Sequence, residues 1–582
     1  MMQSNYDKNP CTVVEGFEKE VFEGYGKITK EIERKCRNRK RTVITVECYP
    51  GVRIEEIVVP FREMLMPVEI FYSDHYSYSG ERITRMVKRE LTDDRVFGVM
   101  TCRTMEEFFD EDLLIAGKQK IEEIQEGVIL VIGTGASLLT TGDILIYADL
   151  ARWEIQLRYR SGELANWKMD NYKEDTLRKY KRGFFVEWRV ADRLKQRIFT
   201  GMDYLLDTNR RDQPKMVTKM AFMAGIEKTV SGPFRVVPYF DPGIWGGQWM
   251  KQVCGLDRDR ENYAWSFDGV PEENSLYLQY GKVRVEVPSI DAVFLRPKEL
   301  LGERVHARFG KEFPIRFDFL DTMEGQNLSL QVHPLTEYIQ QVFGMHYTQD
   351  ESYYILDAKE DAVVYLGLKE GIDQDCMIRD LESADRGEAP FPDEKYINRF
   401  PAKKHDHFLI PAGTVHCSGK NSMVLEISST PYIFTFKLWD WGRLGLDGLP
   451  RPVHIQHGKQ VIQWNRDTSW VKENLIGQTD MIEEGAGYRE ERTGLHEREF
   501  IETRRHWFSS KVCHKTMGSV NVLNLVEGRE AIVESPQGKF PPFVVHYAET
   551  FIIPEQVKEY TIRPYGESEG KELATIKAYV RG

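Results

Sequence analysis

Apolar residues follow two different patterns along the chain, and the change falls near residue 232. Before that point, short apolar runs of strand length alternate with charged stretches of helical length; the runs occupy residues 42–49, 67–73, 128–135 and 143–150. Buried strands that alternate with amphipathic helices are typical of a doubly wound parallel sheet. The pattern therefore predicts an α/β domain over residues 1–232.

From residue 233 onward, glycine and proline are frequent and short segments of alternating apolar and polar residues dominate. Such segments occupy residues 276–287, 351–358, 361–368, 423–429 and 432–439, and a second block of them begins near residue 490. Many short strands separated by turns are typical of β-sandwiches and β-barrels. We expect two all-β domains, over residues 233–480 and 481–582.

Two similar segments suggest that these all-β domains are related. FLIPAG at 408–413 and FIIPEQ at 551–556 each end a strand-like run with the same pattern of phenylalanine, aliphatic residues and proline. A repeated supersecondary unit leaves this kind of internal similarity. The two segments therefore indicate a weak internal duplication.

Composition narrows the classes of partner. The 582 residues carry a formal net charge of −12 with a pI near 5.7, so nucleic acid and anionic membrane surfaces are poor partners. The eight cysteines are scattered singly, which indicates neither a disulfide framework nor a zinc knuckle. No apolar run reaches the roughly 20 residues that span a bilayer. We expect a cytoplasmic protein that binds a small molecule, and a homo-oligomer is compatible with the sequence.

The strongest candidate for chemistry begins at LSLQVHP. Alternate side chains of a strand share a face, so Gln331 and His333 project together. Glu351 begins the next strand-like segment, and His416 follows the turn of HFLIPAGTVH. An amide oxygen, a carboxylate and two imidazoles suit zinc or a similar divalent ion, provided that the fold brings them together. For any one of these residues alone, packing or solvation would be the simpler interpretation.

These segments resemble the successive signatures of class I mannose-6-phosphate isomerases. The resemblance covers IWGGQW, FPIRFDFLD, LSLQVHP, the ESYYIL segment, LIPAGTVH with VLEIS, and LWDWGR followed by RPVHI, in family order over roughly residues 233–582. It implies a double cupin, with a metal-binding cupin domain at 233–480 and a second cupin-like domain at 481–582. It also implies one zinc ion on Gln331, His333, Glu351 and His416, and the interconversion of mannose 6-phosphate and fructose 6-phosphate.

The resemblance also assigns residues to the reaction. Glu426, in VLEIS, aligns with an acidic residue near the metal, and Lys437 stands where the family usually places a pocket arginine. We expect Glu426, Lys437 and Arg443 to be catalytic, and Arg451 and His407 to bind the substrate. The simpler interpretations are a solvent-facing carboxylate for Glu426 and surface ion pairs for the arginines. His405 and His407 are also spaced to share a strand face and form an alternative metal-binding pair. The pair Gln331 and His333 is preferred because Glu351 and the family context accompany it.

Two departures from the family pattern leave other functions open. Gln349 replaces a lysine that family members commonly carry two residues before the metal-binding glutamate, and Lys437 replaces an arginine. Arginine and lysine are not interchangeable where a phosphate is bound by two parallel hydrogen bonds. The alternatives are a non-catalytic regulator that binds a sugar phosphate, and a cupin isomerase or epimerase with another sugar substrate.

The first 232 residues resemble nucleoside-kinase-like P-loop proteins in the order of their segments. Where GxxxxGK[ST] would hold the phosphates, the chain reads ECYPGVRIEE, without the lysine or the following hydroxyl residue. We therefore expect a kinase-like scaffold without kinase activity. Its basic stretch at 179–195 offers Arg182, Arg189 and Arg193 as candidates for sensing an anion; docking or dimerisation is the simpler role.

Overall fold

The computed structural model describes residues 4–430, 433–494 and 496–582, which form two compact units. The unit called here the α/β unit consists of Cys11–Lys228 and Ser275–Phe294. The β unit consists of Met1–Pro10, Thr229–Asn274 and Leu295–Gly582. Residues 275–294 were expected to belong with the all-β domain at 233–480, but by contacts they group with the α/β unit.

The first twelve strands supply the sheets of the α/β unit and two outer strands of the β unit. They are β1 (Cys11–Val13), β2 (Val21–Glu23), β3 (Arg41–Cys48), β4 (Glu69–Tyr72), β5 (Gly127–Gly133), β6 (Ile144–Asp149), β7 (Tyr204–Asp207), β8 (Lys215–Thr218), β9 (Tyr239–Asp241), β10 (Trp265–Gly269), β11 (Ser275–Tyr280) and β12 (Val283–Pro288).

The main sheet of the α/β unit has the strand order β2-β8-β7-β6-β3-β5-β4. Strands β7, β6, β3, β5 and β4 are parallel to one another, whereas β8 runs antiparallel to both β7 and β2. The central strands β3 and β6 are buried almost throughout, which explains their continuous apolar runs. The parallel part of the sheet agrees with the predicted architecture, while the antiparallel edge makes the sheet mixed.

Helices occur in both units. They are α1 (Tyr25–Cys36), α2 (Ile54–Leu65), α3 (Gly80–Met86), α4 (Lys88–Leu91), α5 (Glu111–Glu123), α6 (Arg152–Arg160), α7 (Thr176–Arg182), α8 (Trp188–Ile198), α9 (Lys219–Val230), α10 (Trp249–Val253), α11 (Ile290–Leu295), α12 (Pro297–Leu301), α13 (Glu303–Phe309), α14 (Thr336–Phe343), α15 (Gln374–Asp385), α16 (Asp393–Tyr396), α17 (Ile455–Val461) and α18 (Thr468–Asn474). Among the described residues, none of these helices is long and apolar enough to cross a bilayer.

The first half of the β unit contains two facing sheets. Its strands are β13 (Ile315–Asp321), β14 (Leu330–Val332), β15 (Glu351–Ala358), β16 (Val363–Leu368), β17 (Ile397–Pro401), β18 (His407–Ile410), β19 (His416–Ser418), β20 (Ser422–Ser429) and β21 (Phe436–Trp439). One sheet has the order β18-β15-β20-β13-β10-β9 and the other β17-β16-β19-β14-β21. Residue 432, the first of the strand predicted over 432–439, lies outside the described residues.

The second half of the β unit repeats this arrangement. Its strands are β22 (Asp480–Gly485), β23 (Tyr488–Gly494), β24 (Ile501–Phe508), β25 (Val512–Lys515), β26 (Asn521–Glu527), β27 (Glu530–Glu534), β28 (Phe543–His546), β29 (Thr550–Ile553), β30 (Glu559–Pro564) and β31 (Leu573–Val580). The sheets have the orders β22-β23-β24-β31-β26-β29 and β25-β30-β27-β28.

The two halves have the same strand order. If β13–β20 and β24–β31 are each numbered one to eight, both contain one sheet of order 6-3-8-1 and one of order 5-4-7-2. This is the double-sheet jelly roll of cupin-like proteins. The described strands form facing sheets and no closed barrel. The similar segments FLIP and FIIP lie on the equivalent strands β18 and β29, in agreement with the predicted duplication.

Candidate metal centre

The strand β14 and the residues that follow it place two of the predicted metal ligands. Gln331 lies in β14 opposite His416 of β19, and His333 follows one residue after the strand ends. Val332, between them, is completely buried on the other side. The alternation of a strand therefore brings Gln331 and His333 to one face, as the sequence predicts.

Glu351, the first residue of β15, lies between the two imidazoles. Its Oε2 is 3.1 Å from Nε2 of His333, and its Oε1 is 2.6 Å from Nε2 of His416. The ligand atoms of these three residues all lie within 4.8 Å of one another, and all three side chains are buried. The side-chain amide of Gln331 completes the group, 3.2 Å from Nε2 of His416. The fold thus brings together all four residues that the sequence singled out.

Backbone carbonyls orient both rings toward this centre. Nδ1 of His333 lies 3.2 Å from the carbonyl oxygen of Phe434, and Nδ1 of His416 lies 2.8 Å from that of Thr414. A carbonyl only accepts, so the proton of each neutral ring belongs on Nδ1, and Nε2 carries a lone pair. Metal-binding histidines are usually held in this way by a second hydrogen bond.

Two electron-donating atoms of this cluster have no hydrogen-bond partner within the described part of the chain and are therefore available to bind a cation. Despite these short distances, Nε2 of His333 and Oε1 of Glu351 are buried and have no partner in hydrogen-bond geometry among the described residues. Burial would by itself raise the pKa of Glu351, but positive charge on the rings of His333 and His416 holds it well below its usual range. If both rings are neutral, a cation bound between them would have to supply that positive charge. Two imidazole nitrogens, a carboxylate and an amide suit zinc or a similar divalent ion.

Glu426 lies on the same face, one strand away. It is opposite Tyr353 of β15 and Asp318 of β13, which places it between the two sheets and not in solvent. Its Oε1 accepts hydrogen bonds from Ser428 Oγ at 2.9 Å and from Gln349 Nε2 at 3.2 Å. Burial, together with the charge of Glu351, raises the pKa of Glu426 to about 7. A carboxyl group with this pKa can both accept and release a proton near neutral pH.

Gln349 connects the metal centre with Glu426. Its Nε2 also donates to Oε2 of Glu351, at 3.1 Å, so one amide group holds both carboxylates. Its Oε1 is buried and has no hydrogen-bond partner among the described residues. At this position, where the family pattern has a cationic lysine, the chain therefore has a neutral donor and a free acceptor.

Arg316 and Asp318 complete the polar face, and the sequence analysis did not identify them. Arg316 Nη1 lies 3.3 Å from Oε1 of Glu426 and forms an ion pair with Asp318. Both residues lie in FPIRFDFLD, where charged residues alternate with phenylalanines. Alternation of this kind in a strand with a buried apolar face was the available signal, because it places both charges together on the other face.

Lys437 is near the centre, whereas the two predicted arginines are held elsewhere. Lys437 is half-buried and lies directly opposite Gln331 in the sheet. Arg443 and Arg451 both form ion pairs with Asp440, and Arg451 Nη1 is 2.8 Å from its Oδ2. Asp440, which the sequence analysis did not identify, is buried, so these ion pairs differ from the surface pairs of the simpler interpretation. The roles expected for Arg443 and Arg451 stay predictions.

His407 points away from the metal centre. In β18 it lies opposite Tyr354, so it is on the face opposite to that of Glu351 and Tyr353. Its Nδ1 is 3.0 Å from Oγ1 of Thr493 in β23, and burial lowers its pKa to about 3. The structure therefore does not bring His407 to the predicted substrate pocket, because its register puts it on the other side of the sheet.

His405, the other member of the alternative pair, is also outside the centre. Its Nδ1 lies 3.0 Å from the hydroxyl of Tyr354, and its Nε2 lies 3.1 Å from Oε2 of Glu527. The pair His405 and His407 therefore does not form a metal site with the cluster around Glu351.

In the α/β unit, the candidate anion-binding groups have internal partners. Glu47, at the end of β3, accepts hydrogen bonds from the backbone N–H groups of Gly135 at 2.6 Å and Ser137 at 2.8 Å. Burial raises the pKa of Glu47 to about 7. The backbone N–H groups of the turn after β5 therefore bind a side chain of the same unit.

The three arginines of the basic stretch are also paired internally. Nε of Arg182 lies 2.8 Å from Oε1 of Glu187. Arg193 donates to the backbone carbonyls of Thr101 and Arg103, and Arg189 donates to the carbonyl of Phe184. These contacts favour structural roles over anion sensing, and the resemblance to nucleoside kinases stays a prediction.

Comparison with known proteins found one matching family model and several similar proteins. A family model described as a domain of unknown function (DUF8485) matches residues 24–231. The Bacillus subtilis protein "Probable mannose-6-phosphate isomerase GmuF" is 27% identical over 232 residues, which cover 40% of this chain and 68% of that protein. Mannose-6-phosphate isomerase ManA of the same organism is 26% identical over 232 residues, with the same coverage.

Solved structures of similar proteins were also found. The crystal structure of the mannose 6-phosphate isomerase from Bacillus subtilis has a TM-score of 0.49 and 20% identity, covering 60% of this chain and 100% of that chain. The phosphomannose isomerase from Salmonella typhimurium has a TM-score of 0.46 and 14% identity, with the same coverage. Because both TM-scores are below 0.5, the fold of the β unit is assigned from its own strand orders.

Proposed function

We propose that this protein is a metal-dependent aldose–ketose isomerase of a hexose phosphate, with mannose 6-phosphate as the substrate. One observation carries the proposal: the buried cluster of Gln331, His333, Glu351 and His416 shares a face with Glu426, a carboxyl group whose pKa is near neutrality. The relatives named as mannose-6-phosphate isomerases support the choice of reaction and substrate.

Isomerisation of an aldose to a ketose moves a proton between neighbouring carbons beside a carbonyl group. A bound divalent ion supplies charge stabilisation for the oxygen that becomes negative. Glu426 would remove the proton from one carbon and return it to the other, a contribution of about 10²–10⁴ in rate. Gln349 would hold the two carboxylates apart and in place, and Lys437 would attract the anionic substrate.

A coupled assay on purified, zinc-supplemented protein tests the proposal. The wild type should convert mannose 6-phosphate to fructose 6-phosphate, and chelation should abolish this activity. His333→Ala should lose both bound zinc and turnover, because it removes one imidazole and leaves Glu351 under-neutralised. The matched control is His346→Ala, which removes an exposed histidine that is not one of the four proposed ligands.

The zinc content of both variants, measured together with their turnover, shows whether the activity depends on the metal. Loss of zinc and turnover in His333→Ala alone supports the proposal. Full turnover by metal-free wild type, or undiminished turnover by His333→Ala, would contradict it.

The second candidate function is a non-catalytic regulator that binds the same sugar phosphate. The observation that favours it is the neutral amide of Gln349 beside both carboxylates, because a neutral amide cannot transfer a proton. Under this alternative, zinc-loaded protein binds mannose 6-phosphate in calorimetry, without turnover of any hexose phosphate in the coupled assay.

A further inference from the structure

The second jelly roll has a polar group at the position equivalent to Glu426. Glu426 is the fifth residue of β20, and Lys577 is the fifth residue of the equivalent strand β31. Their cross-strand neighbours also correspond: Asp318 is the fourth residue of β13, and Arg504 is the fourth residue of β24. The second half thus carries cations where the first half carries carboxylates.

The side chains of this group point between the two sheets. Along β31, Lys577 and Thr575 alternate on the same face as Leu573, which belongs to the apolar core of the second jelly roll. His506 of β24 lies opposite Thr575. From the facing sheet, His514 brings its ring to 4.3 Å from that of His506, measured between centroids.

Several buried polar atoms of this group lack a partner. Both ring nitrogens of His514, Nδ1 of His506 and Oγ1 of Thr575 make no hydrogen bond with any described residue. Lys577 is 3% exposed, and its ammonium lies 5.7 Å from the ring centroid of Tyr579. Within the described part of the chain, this ammonium has neither a hydrogen bond nor an ion pair. Unpaired buried polar groups are costly, so water or a bound ligand has to satisfy them.

The two nearby carboxylates form ion pairs and hydrogen bonds with other side chains. Oε1 of Glu490 lies 2.9 Å from Arg504 Nη1 and 3.1 Å from His506 Nε2. Oε1 of Glu502 lies 2.6 Å from Arg504 Nε and accepts from the Tyr579 hydroxyl at 2.6 Å. Burial lowers the pKa of Lys577 to about 8, although the charges of Glu490 and Glu502 act in the opposite direction.

We infer that this polar end of the second jelly roll binds a hydrogen-phosphate group, with Lys577 as its counter-charge. The hydroxyl of Thr575 and one N–H of His514 donate to the phosphate oxygens. Nε2 of His506 faces the Glu490 carboxylate and therefore carries the proton, so Nδ1 is an acceptor. An acceptor in an otherwise donating site selects an oxyanion that still has a P–OH group. This site is independent of the metal centre and of the proposed isomerase activity.

Thermal unfolding of the intact chain in phosphate, sulfate and chloride at matched ionic strength tests this site. The wild type should gain roughly 2 °C or more in Tm in millimolar phosphate. Sulfate, which has no hydroxyl to donate at neutral pH, should give a clearly smaller shift. Equal shifts in all three anions would overturn the inference.

Substitutions then locate the binding. Lys577→Met should abolish the phosphate-dependent shift, whereas Lys515→Met, at an exposed lysine on the same strand as His514, should retain it. Should Lys577→Met fail to fold, Thr575→Val keeps the shape of the side chain and removes only the hydroxyl, with an expected tenfold weaker phosphate affinity. A full phosphate response in Lys577→Met, or an unchanged affinity in Thr575→Val, contradicts the site.

Binding at the metal centre is excluded by repeating the titration with the His333→Ala variant after chelation. This variant should lose isomerase activity and keep the phosphate response. Adding mannose 6-phosphate to this variant shows whether the bound phosphate is an ester or the free ion. A rise in Tm that Lys577→Met removes shows that the site accepts a phosphate ester. A rise in Tm with inorganic phosphate alone shows that the site takes the free ion. Loss of the phosphate response in His333→Ala would assign the binding to the metal centre and overturn the inference.

Discussion

At the scale of single residues, the environment of Glu426 decides its chemistry. The side chain is 5% exposed and shares a face with the ionised Glu351, so its charged form is disfavoured by both burial and repulsion. Arg316 and the donors Ser428 and Gln349 work in the opposite direction. The balance leaves a carboxyl group that exchanges its proton near neutral pH.

Replacing Glu426 by glutamine tests this assignment with little change of shape. We expect Glu426→Gln to lower kcat by about 10²–10⁴-fold while zinc content stays at the wild-type level, because in the proposed reaction Glu426 transfers protons and is not a ligand. The measurement is steady-state kinetics with metal analysis of the same preparation. A comparable loss of zinc would instead make Glu426 part of the metal site, and unchanged kcat would remove it from the reaction.

Alternation within a strand explains which single residues could be identified from the sequence. Gln331 and His333 are two residues apart, so their shared face followed from local geometry alone. For His407, alternation alone did not show which side of the sheet the residue is on. Only the register of β18 on β15 shows that it faces Thr493. Register is set by pairing with a distant strand, and no short segment specifies it.

At the scale of elements, the turn between β18 and β19 joins the two halves of the metal centre. The backbone N–H of Gly413 donates to the carbonyl oxygen of His333 at 2.9 Å, three residues before His416. Gly413 has φ +89°, and a Cβ atom there would lie 2.7 Å from Cγ of Gln463 and 2.9 Å from the carbonyl oxygen of Val461. Only glycine fits this turn without displacing its neighbours.

Gly413→Ala should therefore disturb both histidines. We expect a tenfold to hundredfold loss of zinc affinity, in the range found when groups that orient ligands are removed, together with about 1–2 kcal/mol of backbone strain. Competition with a chromophoric chelator measures the affinity. Gly387→Ala is the control, since Gly387 also has a positive φ, of +73°, but an added Cβ would meet nothing within 4 Å. Equal zinc affinities of the two variants would contradict a role of the turn in the site.

At the scale of the whole molecule, the chain passes between its two units several times. The hairpin β11–β12 and the helix after it belong to the α/β unit, although they lie between segments of the β unit in sequence. Asp291, in that helix, shares the ammonium of Lys195 with Asp149, whose Oδ2 is 2.5 Å from Nζ. All three side chains are buried, and burial raises the pKa of Asp291 well above its usual range.

This buried group predicts unequal effects of two substitutions. Lys195→Met leaves two buried carboxyl groups without a cation and should destabilise the α/β unit by about 3–5 kcal/mol. Asp291→Asn should cost much less, because Asp291 tends toward its neutral form and Asp149 still pairs with the lysine. Calorimetry of the intact chain gives both values.

The control for this pair is Lys40→Met, which removes a lysine from the exposed pair with Glu126 and should change the unfolding little. If Lys195→Met unfolded at the same temperature as Lys40→Met, the buried group would not stabilise the unit.

The sequence by itself determined the local facts: the strand and helix periods, the repeated FLIP and FIIP segments, and four residue types suited to a divalent ion. These depend on spacing within short segments, where backbone geometry alone fixes the direction of each side chain. Tertiary structure decided the rest. It placed the hairpin β11–β12 and the helix after it in the α/β unit, turned His407 away from the metal centre, paired Arg443 and Arg451 with Asp440, and left the buried ammonium of Lys577 without a hydrogen-bonded carboxylate among the described residues. Each of these outcomes depends on which distant strands pair and in which register, and that pairing is a property of the folded chain as a whole.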